Sequence, residues 1–189
     1  QVVPALGEVE VRQAINMAFD KESLVENVLL GNGSTTSQVF NESSDAYVAE
    51  LEDRYSYDVE KARELMAAAG YADGFDVTMP ETPALAQLSP IIQAQLADIG
   101  VNVTFEQLAP DAFIPSVLSG EYPMFFFSLG IQSAGEDFAK LFTPDATWNT
   151  LKYEDPELVA LIDAHAVAEA DDQVAAAQAV NEYVTENAW

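Results

Sequence analysis

The stretch from Phe75 to Phe127, FDVTMPETPALAQLSPIIQAQLADIGVNVTFEQLAPDAFIPSVLSGEYPMFFF, decides the fold. Phe75, Val77 and Met79 alternate with Asp76 and Thr78, the period of a half-buried strand. Leu85, Leu88, Ile91, Ile92, Leu96 and Ile99 then recur at helical spacing up to Gly100. Val101-Asn102-Val103-Thr104-Phe105 alternates again, and Phe113, Val117 and Leu118 mark a shorter helix that ends at Gly120. Met124-Phe125-Phe126-Phe127 is wholly apolar, as a strand covered on both faces must be. This β-α-β-α-β order predicts an α/β fold with a small, mostly parallel sheet and helices on both faces.

Upstream, Val11, Ala14, Ile15, Ala18 and Phe19 form one helical stripe. Asp20 can cap a second helix carrying Leu24, Val25, Val28 and Leu29, before a turn at Gly31-Asn32-Gly33. Residues 34 to 54 are polar and without sustained period, a long excursion whose length suggests a role. Asp58 caps a helix whose inner face is Val59, Ala62, Leu65, Met66 and Ala69, with Gly70 as its stop. Downstream, Asp155-Pro156 opens a helix carrying Leu158, Leu161 and Ile162. Asp171-Asp172 opens a last one, with Val174, Ala177, Val184 and Ala188 on one stripe. The pattern is still helical at Ala188-Trp189, which reads as an interrupted chain.

The chain has 189 residues, enough for one domain with a real core. It carries 32 acidic residues against 7 basic ones, a formal net charge of -25. Seven scattered cations cannot build the basic face that a nucleic-acid partner requires. The same charge is repelled by anionic membrane surfaces. No apolar run approaches a membrane span, so no direct membrane insertion is expected of this segment. With no cysteine, thiolate chemistry, disulfides and cysteine-ligated metals are excluded. Gln1-Val2-Val3-Pro4 does not look like a signal sequence.

Catalytic constellations are absent. His165 is the only histidine and is flanked by alanines, a poor basis for a metal site or a general base. Glu50, Glu52 and Asp53, like Glu136 and Asp137, are carboxylate groupings that solvated loops explain. No serine lies in a Gly-x-Ser-x-Gly elbow, and no phosphate-binding glycine loop is complete. Neither an enzyme activity nor a metal or cofactor is expected.

Five blocks in order carry a resemblance. Val11 to Val25, VRQAINMAFDKESLV, looks like "VRQALNYAIDREALV" of the oligopeptide, dipeptide and nickel class (family 5) of bacterial ABC-transporter solute-binding proteins. Tyr57 to Leu65 with Ala68-Ala69-Gly70-Tyr71 and Asp73-Gly74-Phe75 resembles that family's "YDPEKAKALLAEAGYPDGF". Ile91 to Val103 resembles "IQAQLAEIGIKV", and Gly120 to Met124 with the aromatic residues after it resembles "GDYDMALFGW". Tyr153, Asp155, Pro156 and Leu158 resemble "YSNPEVDALL".

The resemblance implies a periplasmic-binding-protein type II lobe. Residues 1–189 would form a single lobe, the second of a two-lobed protein, truncated at both ends. The missing first lobe of the same chain and an ABC permease are the implied partners, with an oligopeptide or other small polar solute as ligand. The implied location is extracytoplasmic, in the periplasm or at the cell surface, lipid-anchored or soluble. An oligosaccharide or other non-peptide solute, or a sensory role on the same fold, is the alternative.

Ligand contacts are expected from the loop after the apolar strand, at Ser128, Leu129, Gly130, Gln132 and Ser133, and from Trp148 and Asn149. Peptide-binding relatives place an aspartate soon after that strand, for the ligand's amino terminus. Here the acids come later, so Glu136 and Asp137 are the candidate ammonium partners.

Overall fold

The computed structural model describes residues 3–84, 86–130 and 132–189. Leu85 of the predicted helical stripe and Ile131 of the candidate loop lie outside the described residues. The chain divides into two compact units. The first comprises residues 1–35, 55–127 and 188, and the second residues 36–54, 128–187 and 189.

In the first unit, α1 (Val9–Met17) and α2 (Lys21–Asn27) precede α3 (Val59–Ala68). Strand β1 (Phe75–Glu81), α4 (Ser89–Ala97), β2 (Val101–Gln107) and α5 (Pro110–Leu118) follow in order. The caps are those the aspartates predict. Asp20 accepts from the Ser23 N–H at 3.0 Å, and Asp58 from the Lys61 N–H at 2.9 Å. Strands β1 and β2 pair in parallel from Phe75↔Val101 to Glu81↔Gln107, as a helical crossover requires.

The alternation read from the sequence sorts the two faces. Val77, Met79, Val101 and Val103 are buried with Val11, Ala14, Ala62, Met66, Ile92 and Leu96 in one apolar cluster. Asp76, Asn102 and Thr104 face solvent, and the Asn102 amide donates to Asp76 at 3.0 Å.

The third predicted strand does not form. Met124 to Phe127 is irregular backbone, and Phe126 and Phe127 are 44% and 37% exposed rather than covered. An apolar run becomes a strand only when another strand's edge is there to take its backbone hydrogen bonds. Here the run is the connection leaving the first unit, and it holds itself by ring contact instead. Phe127 stacks on Phe113 with centroids 6.1 Å apart.

The second unit contains α6 (Ala134–Leu141), α7 (Pro156–Val167) and α8 (Gln173–Glu186). Phe40, Ala46, Phe138, Phe142, Leu158, Ala177, Val180 and Val184 make its core. Phe138 is its centre, meeting Phe40 and His165 edge-on at 5.4 and 5.1 Å. Val174, read as part of the buried stripe of α8, is 46% exposed.

The polar excursion of residues 36–54 is packed against α8. Asn181, fully buried, donates to Gln38 Oε1 at 2.6 Å and to the Ala46 carbonyl at 2.8 Å. The Gln38 amide also donates to the Val48 carbonyl and accepts from the Val48 N–H, at 2.9 and 3.0 Å. Arg54 closes the segment with a two-pronged pair to Glu186, at 2.8 and 2.7 Å. That pair holds the Glu186 carboxyl below its ordinary range.

Asp155 caps α7 through the Glu157 and Leu158 N–H groups and also accepts from the Tyr183 hydroxyl at 2.9 Å. Burial, then the Asp155 hydrogen bond and its charge, push the Tyr183 phenol up to about 12.

Two predictions follow from these contacts. Gly70 and Gly74 share positive φ values of 85° and 74°. A Cβ at Gly70 meets open space, whereas one at Gly74 would lie 1.9 Å from the Gly100 carbonyl oxygen. Gly70→Ala is expected to cost about 1 kcal/mol, the strain of the left-handed backbone. Gly74→Ala should cost at least twice that, measured as the shift in urea midpoint. The second concerns alkaline stability. Tyr183 stays protonated in the folded state above its unfolded value of 10.0, so its contribution is complete below pH 10 and is lost as pH rises toward about 12. Tyr183→Phe should flatten the fall in stability over that window in a denaturation series.

Candidate ligand-binding site

The residues singled out from the sequence all belong to the second unit, whereas both strands belong to the first. They fall on two segments flanking α6. Ser128, Gly130, Gln132 and Ser133 are exposed on the first, with Leu129 half-buried. Trp148 is half-buried and Asn149 buried on the second. Helix α6 is not among the helices expected from the sequence, although Ser133-x-x-Glu136 is a capping-box signal for its start. Ser133 stands at its N-cap, and Glu136 reaches back to accept from the Ser133 hydroxyl at 2.7 Å and its N–H at 3.4 Å.

The two candidate ammonium partners have different surroundings. Glu136 is exposed at the first turn of α6. Asp137 is 0% exposed, and both its oxygens are engaged within the chain. Oδ1 accepts from Lys140 Nζ at 2.7 Å and Oδ2 from the Gln132 N–H at 2.8 Å. Lys140 also donates to the Gly130 carbonyl at 3.1 Å. Lys140 is not among the residues expected at the site from the sequence. Its spacing of one helical turn from Asp137, in a chain with only 7 basic residues, was the signal available.

Asn149 is likewise committed to its own loop. Its Nδ2 donates to the Thr143 and Tyr153 carbonyls at 3.1 and 2.7 Å, and its Oδ1 accepts from the Tyr153 N–H at 3.0 Å. This fixes the turn that presents Trp148, whose N–H donates to the Lys140 carbonyl at 3.1 Å. A further buried carboxylate, unremarked in the sequence, is Glu81 at the carboxyl end of β1, which accepts from the Gln107 amide. Among the described residues no group of three histidine or carboxylate side chains is placed to hold a metal. No helix among them is long and apolar enough to cross a membrane.

With this geometry in hand, the comparisons with known proteins are decisive at the level of family. Residues 3–149 match the model for bacterial extracellular solute-binding proteins, family 5 Middle. The chain belongs to that family. Heme-binding protein A of Haemophilus influenzae is 37% identical over 108 residues, 52% of this chain and 20% of the relative. The dipeptide-binding protein of Escherichia coli is 32% identical over 111 residues, 53% of this chain and 21% of that protein. The chain thus matches about a fifth of the length of these curated relatives.

Among solved structures, the periplasmic binding protein DppA from Helicobacter pylori, in complex with peptide STSA, superposes with a TM-score of 0.89 at 25% identity. It covers 98% of this chain and 38% of that one. HbpA2 from Haemophilus parasuis matches equally well, at TM-score 0.89 and 26% identity, over 98% of this chain and 39% of that one. The type II binding-protein fold expected from the sequence is therefore established, and the family is one of solute binders.

Asn149→Ala removes three hydrogen bonds at once and leaves the Tyr153 and Thr143 backbone groups to find water. It should destabilise the protein by about 1–3 kcal/mol. Thermal denaturation followed by tryptophan emission in a Trp189→Phe background, where Trp148 is the remaining tryptophan, would register both the loss and the loosening of the turn.

Proposed function

We propose that this chain is one lobe of an extracytoplasmic solute-binding protein that captures a peptide or similar small polar solute and hands it to an ABC permease. The observation that carries the reading is the correspondence of 98% of the chain to part of a periplasmic protein holding a peptide. The family match over residues 3–149 supports it. On this reading the ligand is held between this lobe and the first lobe of the same protein, which close upon it by hinge motion. The role is capture without turnover, consistent with a family of binders.

Ser128, Leu129, Gly130, Gln132, Ser133 and Trp148 are the proposed ligand-facing residues on this lobe, with the buried Asn149 behind them. Exposed polar and backbone groups on the first segment suit an extended solute, and the half-buried indole supplies an apolar wall. Glu136 is the carboxylate proposed to meet a ligand ammonium, because it is accessible while Asp137 is engaged by Lys140 and Gln132. Asn149 contributes by presenting Trp148.

The test uses the intact two-lobed parent protein. Its melting temperature is recorded against peptides, oligosaccharides, metal chelates and heme, the last because a relative is named for it. A peptide at a hundred times its dissociation constant should add about 2.7 kcal/mol, a shift of a few degrees. A shift with sugars or chelates alone would replace peptide by that solute class. No shift with any panel would overturn the solute-binding reading.

A further inference from the structure

We infer that Lys140 is a positioning residue of the ligand site, tying both ligand-facing segments to one turn of helix α6. The inference rests on the reading above, in which residues 128–130, 132–133 and 148 face the solute. Three contacts converge on it. Its ammonium lies 2.7 Å from Asp137 Oδ1 and 3.1 Å from the Gly130 carbonyl oxygen. Its own carbonyl accepts from the Trp148 N–H at 3.1 Å. Asp137 completes the arrangement by accepting from the Gln132 N–H at 2.8 Å.

The first segment is thereby gripped at two points on opposite sides of position 131, at a carbonyl and at an N–H. The grip is charge-assisted and well shielded, since the Asp137 side chain is 0% and that of Lys140 25% exposed. A carboxylate so buried is held only with a partner that compensates its lost hydration, and Lys140 supplies the charge. Such a pair contributes little by counting ion pairs. Its value lies in where its atoms hold the backbone. Exposed loops that order only when a solute arrives lose affinity to that ordering, and a loop held beforehand avoids the loss. Lys140 does not touch the solute on this scheme. It acts through Gly130, Asp137 and, by its backbone, Trp148.

Two measurements on the intact parent protein separate this role from a merely structural one. In the unliganded protein, Lys140→Met keeps the aliphatic stem and removes the ammonium. The Gln132 amide should then exchange with deuterium at least tenfold faster, while the Asn181 region of α8 keeps its protection. In calorimetric titration with peptide STSA, with heme and with the best peptide of the melting panel, Lys140→Met should weaken binding about tenfold. Lys140→Arg, which retains the charge, should restore most of it. If Lys140→Met does not fold, Asp137→Asn, which keeps an acceptor for the Gln132 N–H, serves in its place with the same expectation of weaker binding.

Wild-type binding that Lys140→Met leaves unchanged overturns the inference and spares the solute-binding reading. Equal weakening by Lys140→Met and Lys140→Arg also overturns it, since charge would then not be the cause. A wild-type protein that binds none of the probes sinks the underlying reading, and the inference with it.

Discussion

Two parallel strands cannot be joined by a tight turn, and most of the first unit is a consequence of that. To bring Val101 beside Phe75 in the same direction, the chain must travel back along the whole length of β1. It does so as α4, whose Ile92 and Leu96 are buried in the same cluster as Val77 and Val103. The return is tightest where it enters β2. There the Phe75 N–H donates to the Gly100 carbonyl at 3.1 Å, and the Gly100 backbone approaches Gly74 too closely to admit a side chain at position 74. The helix stop and the strand start are thus one contact, which excludes a side chain at Gly74, while Gly100 is set by its positive φ of 84° and by the tight 3.1 Å that a Cβ there would leave to the Gly74 Cα.

The second unit rests on a different principle. Its apolar core around Phe138 is supplemented by a buried polar network in which Gln38 and Asn181 satisfy one another and the backbone of the excursion. Buried amides are tolerated because each finds its partners, and those partners define a single register for a segment whose regular structure is one short 3-10 turn, Ala49–Leu51. The loop carrying Gly130 and Gln132 is handled in the same way by Lys140 and Asp137. Polar side chains here do for irregular backbone what strand pairing does for β1 and β2.

Much of this was written locally and could be read. Asp20, Asp58 and Asp155 cap helices where aspartate before an apolar stripe predicts it, and the alternation at Phe75–Met79 and Val101–Phe105 marks both strands. What could not be read depends on partners distant in sequence. Met124–Phe127 has a strand's composition, but composition does not supply an edge to pair with. Helix α6 has a glycine and two acids in its first turn, so its Ser133–Glu136 capping box is a helix start that shows its meaning only with the burial of Ala134 and Phe138. Lys140 has its carboxylate only one helical turn away, but the burial that gives the pair its weight comes from the core around Phe138. The excursion's polarity implied solvent, whereas Gln38, Phe40, Ala46 and Leu51 are inside, Phe40 and Ala46 in the core that α8 shares.

The excursion also has a temporal side. Gln38 and Asn181 are 143 positions apart, and Arg54 and Glu186 are 132 apart. During synthesis, residues 36–54 leave the ribosome long before α8 exists to receive them. At ordinary elongation rates of about 5–20 residues per second, that wait lasts many seconds, far longer than a helix takes to form. A segment of greasy residues left waiting so long would invite association with other nascent chains. Serine, threonine, asparagine and glutamate instead keep it hydrated until its receptor helix emerges. The polar composition that made the segment look like a surface loop is what a late-docking piece of a discontinuous unit needs in order to survive its own translation.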